Sequence, residues 1–228
     1  MKIKILIVED DTDLGNLLKL YLEFNGFEVH RVNNGREARK ALKADVYNIV
    51  VLDVTMPVEN GFSLAEHIAK AHPSLPFIFV TARKMKEDVL KGLKLGADDY
   101  IVKPFDADVL ILRIQNILKR TEKEPVNKNQ QISIGNYEFN PAELTLISTS
   151  GEQLLTEKEA QLLLYLWERK GQLIKRDAIL DELWQEVDYF NGRSMDVFIS
   201  KLRKYLSGDP NIHIKSIRGI GYRFKVDN

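Results

Sequence analysis

The first half of the chain alternates short apolar runs with amphipathic stretches. The runs that predict buried parallel strands are Ile3–Val8, Asn48–Asp53 and Phe77–Thr81, with weaker candidates at Val29–Val32 and Tyr100–Val102. Helical periodicity separates them, over Asp13–Asn25, Gly35–Ala44, Leu64–Ala71, Lys86–Leu95 and Asp108–Arg120. Because strands and helices alternate five times, residues 1–120 are predicted to form an α/β doubly wound parallel sheet.

The second half has a different pattern. Residues 121–131 are polar, lack periodicity and contain Pro125, so we interpret them as an interdomain linker. Four short strand candidates follow, at Ile132–Ile134, Tyr137–Phe139, Leu144–Ser148 and Gln153–Leu155. Helical patterns come next, at Glu157–Lys170, Arg176–Trp184 and Arg193–Ser207, before a closing hairpin of Ile212–Ile217 and Tyr222–Val226. Three helices and a hairpin predict an α+β winged helix-turn-helix domain over residues 132–228.

Composition narrows the class of protein. The 228 residues include no cysteine, which excludes a disulfide framework, a zinc-thiolate site and a thiol nucleophile. No apolar run approaches the roughly 20 residues that span a bilayer, and the N-terminus turns acidic too early for a signal peptide. The sequence therefore predicts a soluble, cytoplasmic protein with no membrane partner.

Charge is distributed unevenly although the formal net charge is zero. From Phe190 onward there are eight basic residues and three acidic ones. A cationic C-terminal segment on a neutral chain indicates a local electrostatic surface for a polyanion such as DNA.

Polar side chains cluster where the predicted strands end: Glu9, Asp10 and Asp11 after the first strand, Asp53 after the third, Thr81 at the end of the fourth and Lys103 after the fifth. The carboxyl ends of parallel strands share one edge of a sheet, where ligands bind. Clustered carboxylates need a hard divalent cation, and a carboxylate beside a lysine and a hydroxyl suits phosphoryl transfer. Acids after strands also serve as helix caps, and Asp11 is open to that role.

Four segments resemble the signatures of receiver domains: Val8–Asp11, Val51–Pro57, Val80–Arg83 and Tyr100–Phe105. Residues 218–224, RGIGYRF, resemble the winged-helix effector domains of the OmpR/PhoB family. The resemblance covers nearly the whole chain. It implies a transcriptional response regulator that is activated when a sensor histidine kinase phosphorylates it.

The resemblance assigns roles to matching residues of the first half. It implies that Asp53 accepts the phosphoryl group, and that Mg²⁺ is bound by Asp10, Asp53 and the backbone carbonyl of Thr55, with Glu9 acting through water. It further implies that Lys103 binds the phosphoryl oxygens, that Thr81 moves towards the phosphate and that Tyr100 then moves inward. Ala82 belongs to the same phosphate-binding and switch set. Thr55 and Arg83 flank this pocket. None of the four histidines has a phosphotransfer-like context, so the chain is expected to receive phosphate rather than supply it.

The resemblance also implies a homodimer that forms on phosphorylation. In the family two receivers pair through the fourth helix, fifth strand and fifth helix. The matching positions are Glu87, Val89, Asp98, Asp99, Val109, Arg113 and Arg120. Val89 and Val109 stand where the family usually has a lysine and a glutamate, so we expect a more apolar contact with weaker salt dependence.

The last predicted helix divides into an apolar and a polar face. The apolar face should be core and comprises Met195, Phe198, Ile199, Leu202 and Leu206. The opposite face should read double-stranded DNA and comprises Arg193, Ser194, Val197, Ser200, Lys201 and Lys204. In the hairpin, Arg218 beside Gly219 is placed to enter a minor groove, and Tyr222 or Arg223 to contact backbone. Trp184–Phe190 matches a loop that in the family contacts RNA polymerase, although its aromatic residues are equally suited to the core.

Three alternatives remain for the acidic edge. A haloacid-dehalogenase-type phosphatase also uses an aspartyl nucleophile, but it needs a second carboxylate where Thr55 stands, so turnover of an external substrate is not expected. A metal-dependent phosphohydrolase with a basic accessory domain is a broader rival. The third alternative is a DNA-binding protein with a vestigial pocket.

Overall fold

The computed structural model describes residues 2–121, 131–184 and 189–227, without the side chains of residues 120, 121 and 189–194. The chain divides into two compact units, Met1–Thr121 and Glu122–Asn228. Most of the predicted linker lies outside the described residues, although Thr121, its first residue, ends a helix. No helix among the described residues is long and apolar enough to cross a membrane.

The first unit is built on a five-stranded parallel sheet with strand order β2-β1-β3-β4-β5. Its strands are β1 (Lys4–Val8), β2 (Glu28–Val32), β3 (Ile49–Leu52), β4 (Phe77–Thr81) and β5 (Asp99–Val102). All four residues of β3 are at most 2% exposed, as expected for a strand covered on both faces. The doubly wound sheet predicted from the apolar runs is therefore confirmed.

Five helices alternate with these strands: α1 (Thr12–Phe24), α2 (Gly35–Ala44), α3 (Gly61–Ala71), α4 (Lys86–Lys94) and α5 (Ala107–Thr121). The carboxylate of Asp11 accepts hydrogen bonds from the amides of Asp13 and Leu14 at the start of α1, so the capping role left open for Asp11 is the one found. Helix α3 begins three residues before its predicted start because Asn60 caps it and Gly61 is its first residue.

The second unit starts with a four-stranded antiparallel sheet, β6 (Ile132–Ile134), β7 (Tyr137–Asn140), β8 (Thr145–Ser148) and β9 (Gly151–Leu154). Three longer helices follow, α6 (Glu157–Glu168), α7 (Arg176–Leu183) and α8 (Tyr189–Tyr205). The closing hairpin consists of β11 (Ile212–Ile217) and β12 (Gly221–Val226), and a two-residue strand, β10 (Ile174–Lys175), pairs with β12. The predicted helix order and hairpin are confirmed, and β10 was not predicted.

The core of the second unit contains the predicted apolar face of α8. Met195, Phe198, Ile199, Leu202 and Leu206 are all at most 2% exposed. Trp184 is 3% exposed and its ring packs against Phe198, so it is a core anchor. Residues 185–188 of the loop that matches a polymerase-contacting segment lie outside the described residues.

Candidate functional site

The carboxyl edge of the parallel sheet gathers the predicted pocket residues. Glu9 and Asp53 directly follow β1 and β3 and are 3% and 6% exposed. Thr81 is the last residue of β4 and is fully buried, and Lys103 directly follows β5. Four strand ends thus converge as the sequence pattern predicted, because β1, β3, β4 and β5 are neighbours in one parallel sheet.

Lys103 joins the two buried carboxylates. Its Nζ lies 2.7 Å from Oδ2 of Asp53 and 2.8 Å from Oε2 of Glu9. Burial alone lowers the pKa of Lys103, but hydrogen bonds to Asp53 and Glu9 outweigh it and raise that pKa. The ammonium group therefore stays charged beside Asp53 and can bind an anion that Asp53 receives.

Burial raises the pKa of Glu9, although the hydrogen bond from Lys103 opposes this effect. The carboxylate oxygens of Glu9, Asp10 and Asp53 lie within 4.8 Å of one another. Asp10 is exposed, whereas the other two are buried. Three oxygen donors in this arrangement, with one side open to water, suit a hard divalent cation that keeps part of its hydration shell.

The backbone after β3 wraps around the phosphoacceptor candidate. The amide of Thr55 donates to Oδ1 of Asp53 over 2.9 Å, which leaves Oδ2 for Lys103. The amide of Thr55 therefore holds the Asp53 carboxylate in one orientation.

Tyr100 and Thr81 occupy neighbouring strands next to the pocket. Tyr100 is 3% exposed, and its hydroxyl donates to the backbone carbonyl of Arg83 over 2.9 Å. Its ring lies against Phe79, and burial raises its pKa. Ala82, between Thr81 and Arg83, is exposed. Tyr100 is thus buried beside the pocket and is attached to the segment that follows β4.

The side chain of Arg83 makes contacts that the sequence did not indicate. Its Nε lies 3.3 Å from Oγ1 of Thr55, and its Nη1 lies 3.2 Å from Oδ1 of Asp88. The motif placed Arg83 beside the pocket, but no spacing rule connects it with Asp88 on α4.

The predicted dimer face is only partly a surface. Val89 is 4% exposed and therefore belongs to the core beneath α4, which makes its assignment to an exposed face wrong. Asp99 and Arg113 pair within one chain, 2.6 Å apart, and Asp98 accepts a hydrogen bond from the amide of Phe77.

Two of the predicted dimer-face residues, Glu87 and Val109, are exposed, while the side chain of Arg120 lies outside the described residues. Leu112, which the sequence reading missed, is 51% exposed one turn after Val109.

The predicted DNA-reading face of the second unit is narrower than expected. Ser200 and Lys204 are exposed on α8, as are Arg218 and Gly219 at the hairpin turn, and Arg223 is partly exposed. The side chains of Arg193 and Ser194 lie outside the described residues. The described part of this surface still presents cations and a hydroxyl, together with an exposed hairpin turn.

Two residues expected on that face are buried in the protein, and a third is held against a neighbouring helix. Val197 is 6% exposed and Tyr222 5% exposed. The Tyr222 hydroxyl lies 2.5 Å from Oδ1 of Asp196 and 3.1 Å from Nη1 of Arg176. It therefore ties β12 to α8 and α7 instead of pointing to solvent.

Lys201, the third of these residues, faces α6 instead of solvent. Its ammonium group forms an ion pair with Glu159 of α6, whose side chain is 1% exposed. Burial lowers the pKa of Lys201, whereas the negative charge of Glu159 opposes this effect. Helical spacing suggested a solvent-facing lysine, but position 201 lies beside Phe198 and Leu202 on the side of α8 that packs on α6.

Arg203 is a further residue that sequence reasoning did not single out. Its guanidinium donates to the backbone carbonyl of Ile214 and to Oγ of Ser216. Arg203 thereby attaches α8 to β11. A basic residue on a cationic helix gives no signal that separates this structural role from DNA contact.

Comparison with known proteins places both units in described families. Residues 5–115 match the response regulator receiver domain, and residues 151–224 match the C-terminal domain of transcriptional regulatory proteins. The chain is 40% identical over 222 residues to the transcriptional regulatory protein RprY of Bacteroides fragilis (strain YCH46), covering 97% of this chain and 94% of that one. It is 32% identical over 234 residues to SrrA of Staphylococcus aureus (strain NCTC 8325 / PS 47), covering 99% and 97%.

Solved structures show the same architecture. The response regulator DrrB, a Thermotoga maritima OmpR/PhoB homologue, matches with a TM-score of 0.53 and 30% identity over 99% of this chain and 100% of its own. A mutant of RitR matches with a TM-score of 0.79 over 97% and 98%. At 23% identity that second likeness concerns the fold alone.

These findings define the chain as a two-component response regulator, with a receiver domain followed by a DNA-binding domain. More narrowly, it belongs to the OmpR/PhoB family of response regulators.

Proposed function

We propose that Asp53 accepts a phosphoryl group from a sensor histidine kinase and that this modification controls binding of the chain to DNA. The observation that carries the proposal is the ammonium group of Lys103, held 2.7 Å from the Asp53 carboxylate in a buried pocket. A lysine in this position neutralises the charge that Asp53 gains and holds the phosphoryl oxygens.

The transfer needs little covalent chemistry from the protein. A carboxylate oxygen of Asp53 attacks phosphorus while the bond from phosphorus to the histidine nitrogen of the kinase breaks, and that imidazole keeps the electron pair. Lys103 and the Thr81 hydroxyl stabilise the phosphoryl oxygens. Glu9, Asp10, Asp53 and the Thr55 carbonyl would hold Mg²⁺, which neutralises charge on the transferring group.

The C-terminal domain supplies the output. In the proposed arrangement residues 1–120 receive the signal, residues 121–131 connect the domains, and residues 132–228 bind double-stranded DNA in the cytoplasm. Helix α8 enters a major groove with Ser200 and Lys204 on its exposed side, and Arg218 at the hairpin turn enters the adjacent minor groove. The segment 185–190, which follows the buried Trp184, is proposed to contact RNA polymerase.

Phosphorylation is proposed to act through a homodimer that binds direct repeats. An acyl phosphate at Asp53 favours one arrangement of Thr81 and Tyr100, and the surface formed by α4, β5 and α5 then pairs with a second receiver. Two linked effector domains bind two half-sites more tightly than one domain binds either, which makes occupancy of DNA depend on phosphorylation.

Labelling with acetyl phosphate and Mg²⁺ tests the phosphoryl site. We expect stable incorporation into wild type and none into Asp53→Asn, while Asp13→Asn, which changes an exposed carboxylate on α1, should be labelled normally. Rapid multiple turnover would indicate the phosphohydrolase instead. Absence of label in every form would indicate a vestigial pocket.

Genome-wide DNA binding of wild type and Asp53→Asn tests the link to output. The proposal expects sites that wild type occupies under activating conditions and the variant does not. Identical occupancy by both proteins would separate DNA binding from the modification and contradict the proposed control.

A further inference from the structure

Arg83 contacts four different segments around the pocket. Its amide lies 3.4 Å from Oγ1 of Thr81, and its carbonyl accepts the Tyr100 hydroxyl over 2.9 Å. Its guanidinium reaches Thr55 in the loop after β3 and Asp88 in the first turn of α4. The backbone of Arg83 is therefore held by two strands, while its side chain spans the gap between the pocket and a helix.

The guanidinium group is the movable part of this junction. The side chain of Arg83 is 48% exposed, so rotation towards the pocket or away from it costs little burial. Thr55, which contacts Nε of Arg83, also donates its amide to Oδ1 of Asp53 over 2.9 Å. Thr55 therefore contacts both the guanidinium of Arg83 and the phosphoacceptor candidate Asp53.

Asp88 attaches the start of α4 to this cation. Met85, the N-cap residue of α4, makes no side-chain capping hydrogen bond. Asp88 is 21% exposed at its side chain and lies 3.2 Å from Nη1 of Arg83. The ion pair therefore fixes the first turn of α4 to the loop that follows β4, where a side-chain cap is missing.

We propose that Asp88 and the phosphoryl group on Asp53 compete for the guanidinium of Arg83. The inference rests on the proposed phosphorylation of Asp53. A phosphoryl group carries more negative charge than one carboxylate and offers three strong acceptor oxygens, so it draws the half-exposed guanidinium away from Asp88. Release of Asp88 loosens the first turn of α4. Because the competition is reciprocal, removal of the Asp88 charge makes the pocket bind a phosphoryl group more tightly.

Beryllofluoride with Mg²⁺, a stable mimic of the phosphoryl group, measures this competition in the full chain. Asp88→Asn should bind the mimic roughly two- to fivefold more tightly than wild type, the range that a partly exposed ion pair allows. Glu87→Gln is the matched control, since it removes one negative charge from the same turn of α4 at an exposed residue without a described ion pair. Because Glu87 lies on the proposed dimer surface, the affinities are compared at protein concentrations at which each protein is monomeric, and there Glu87→Gln should leave the affinity unchanged.

A double-variant cycle decides whether Arg83 carries the effect. In an Arg83→Ala background, Asp88→Asn should no longer change the affinity for the mimic. Equal affinities of Asp88→Asn and Glu87→Gln, or tightening that persists without Arg83, would overturn the competition while leaving Asp53 phosphorylation intact. If wild type neither binds beryllofluoride nor takes label from acetyl phosphate, the proposed function fails and this inference fails with it.

Hydrogen exchange gives a readout that reduced stability alone would not produce. Exchange of the first hydrogen-bonded amide of α4, that of Val89, which donates to the carbonyl of Met85, should be faster in Asp88→Asn than in Glu87→Gln, and the mimic should accelerate it in wild type but not further in Asp88→Asn. Acceleration by the mimic to the same extent in all three proteins would contradict a role for Asp88.

Discussion

Gly61 lies directly against the backbone of Asp53. A Cβ atom added to Gly61 would lie 2.0 Å from the carbonyl oxygen of Asp53 and 2.8 Å from the Cα of Val54. Both neighbours are backbone atoms of the loop that carries the phosphoacceptor, so neither can rotate away. The first residue of α3 therefore sets the position of Asp53.

Gly61→Ala should displace this loop and impair labelling by acetyl phosphate about tenfold or more. Overpacking against backbone should also lower the free energy of unfolding by about 1–3 kcal/mol. Gly35→Ala is a matched control, because Gly35 is likewise the first residue of its helix but faces the side chain of Glu59 at 2.9 Å, which can move. Labelling kinetics and denaturant unfolding of both variants check the prediction, and normal labelling of Gly61→Ala would contradict it.

The Asp99–Arg113 pair should contribute to stability within one chain. Both side chains are at most 14% exposed, so Arg113→Ala leaves a buried carboxylate without its cation and should lower the free energy of unfolding by roughly 3 kcal/mol. Lys70→Ala, which breaks the exposed pair with Glu66, should cost less than about 0.5 kcal/mol. Equal effects in denaturant unfolding would contradict a stabilising role of the pair within the chain.

The apolar contribution to dimerisation should come from α5. Val109 is 39% and Leu112 51% exposed, so replacing both with serine should weaken dimerisation with beryllofluoride while barely changing stability. Val89→Ala should do the reverse, lowering the free energy of unfolding by about 1–2 kcal/mol through the lost core methyl groups. Sedimentation with the mimic and denaturant unfolding separate the two effects. Undiminished dimerisation of the double serine variant would exclude this surface.

Alkaline pH should weaken the second domain through Tyr222. Burial, together with the hydrogen bond to Asp196, raises the pKa of the Tyr222 phenol from 10.0 to about 12. The folded state keeps a proton that the unfolded state loses, so this stabilisation is complete below pH 10 and is lost as the pH rises towards 12. Between those values, the difference in unfolding free energy between wild type and Tyr222→Phe should shrink by about 1.4 kcal/mol per pH unit.

The carboxylate of Asp196 provides the control for this titration. Asp196→Asn removes the negative charge that helps to raise the pKa of Tyr222, so the loss of stability should still begin near pH 10 but should end at a lower pH and be smaller in total. A difference between wild type and Tyr222→Phe that does not change with pH would place the phenol in solvent and contradict the buried network.

The hairpin turn should contribute to DNA binding through charge. Arg218 is exposed beside Gly219, whose φ of +73° forms the turn. Arg218→Ala should weaken DNA binding. The slope of log affinity against log salt concentration should also become shallower by about one unit, the value expected for one lost phosphate contact. Lys70→Ala removes the same charge from the first domain and should change neither quantity. An unchanged salt dependence in Arg218→Ala would remove the hairpin from the interface.

The pocket was predictable because it depends on topology. Glu9, Asp53 and Lys103 each follow a strand, and parallel strands bring their ends together whatever the details of packing. Lys201 and Tyr222 were not predictable in the same way. Their partners, Glu159 and Asp196, lie 42 and 26 residues away in the chain, and helical or strand periodicity contains no information about such pairs.

Smaller differences have similar causes. Val89 was placed on a surface because matching family positions are charged, yet a valine on α4 is free to turn into the core. Strand β10 has only two residues and exists because Ile174 and Lys175 pair with β12. Elements this short are created by their neighbours and not by their own periodicity.

The ion pair between Lys201 and Glu159 limits how the second domain can respond to a signal. Helix α8 is fastened to α6 by that ion pair and to β11 by Arg203, so bending or turning it alone would break several bonds at once. Helix α8, the proposed DNA-recognition helix, is consequently held rigidly within its domain. In the proposed mechanism, phosphorylation would then change how many such domains lie side by side on DNA and how far apart they are, and would leave the internal structure of each domain unchanged.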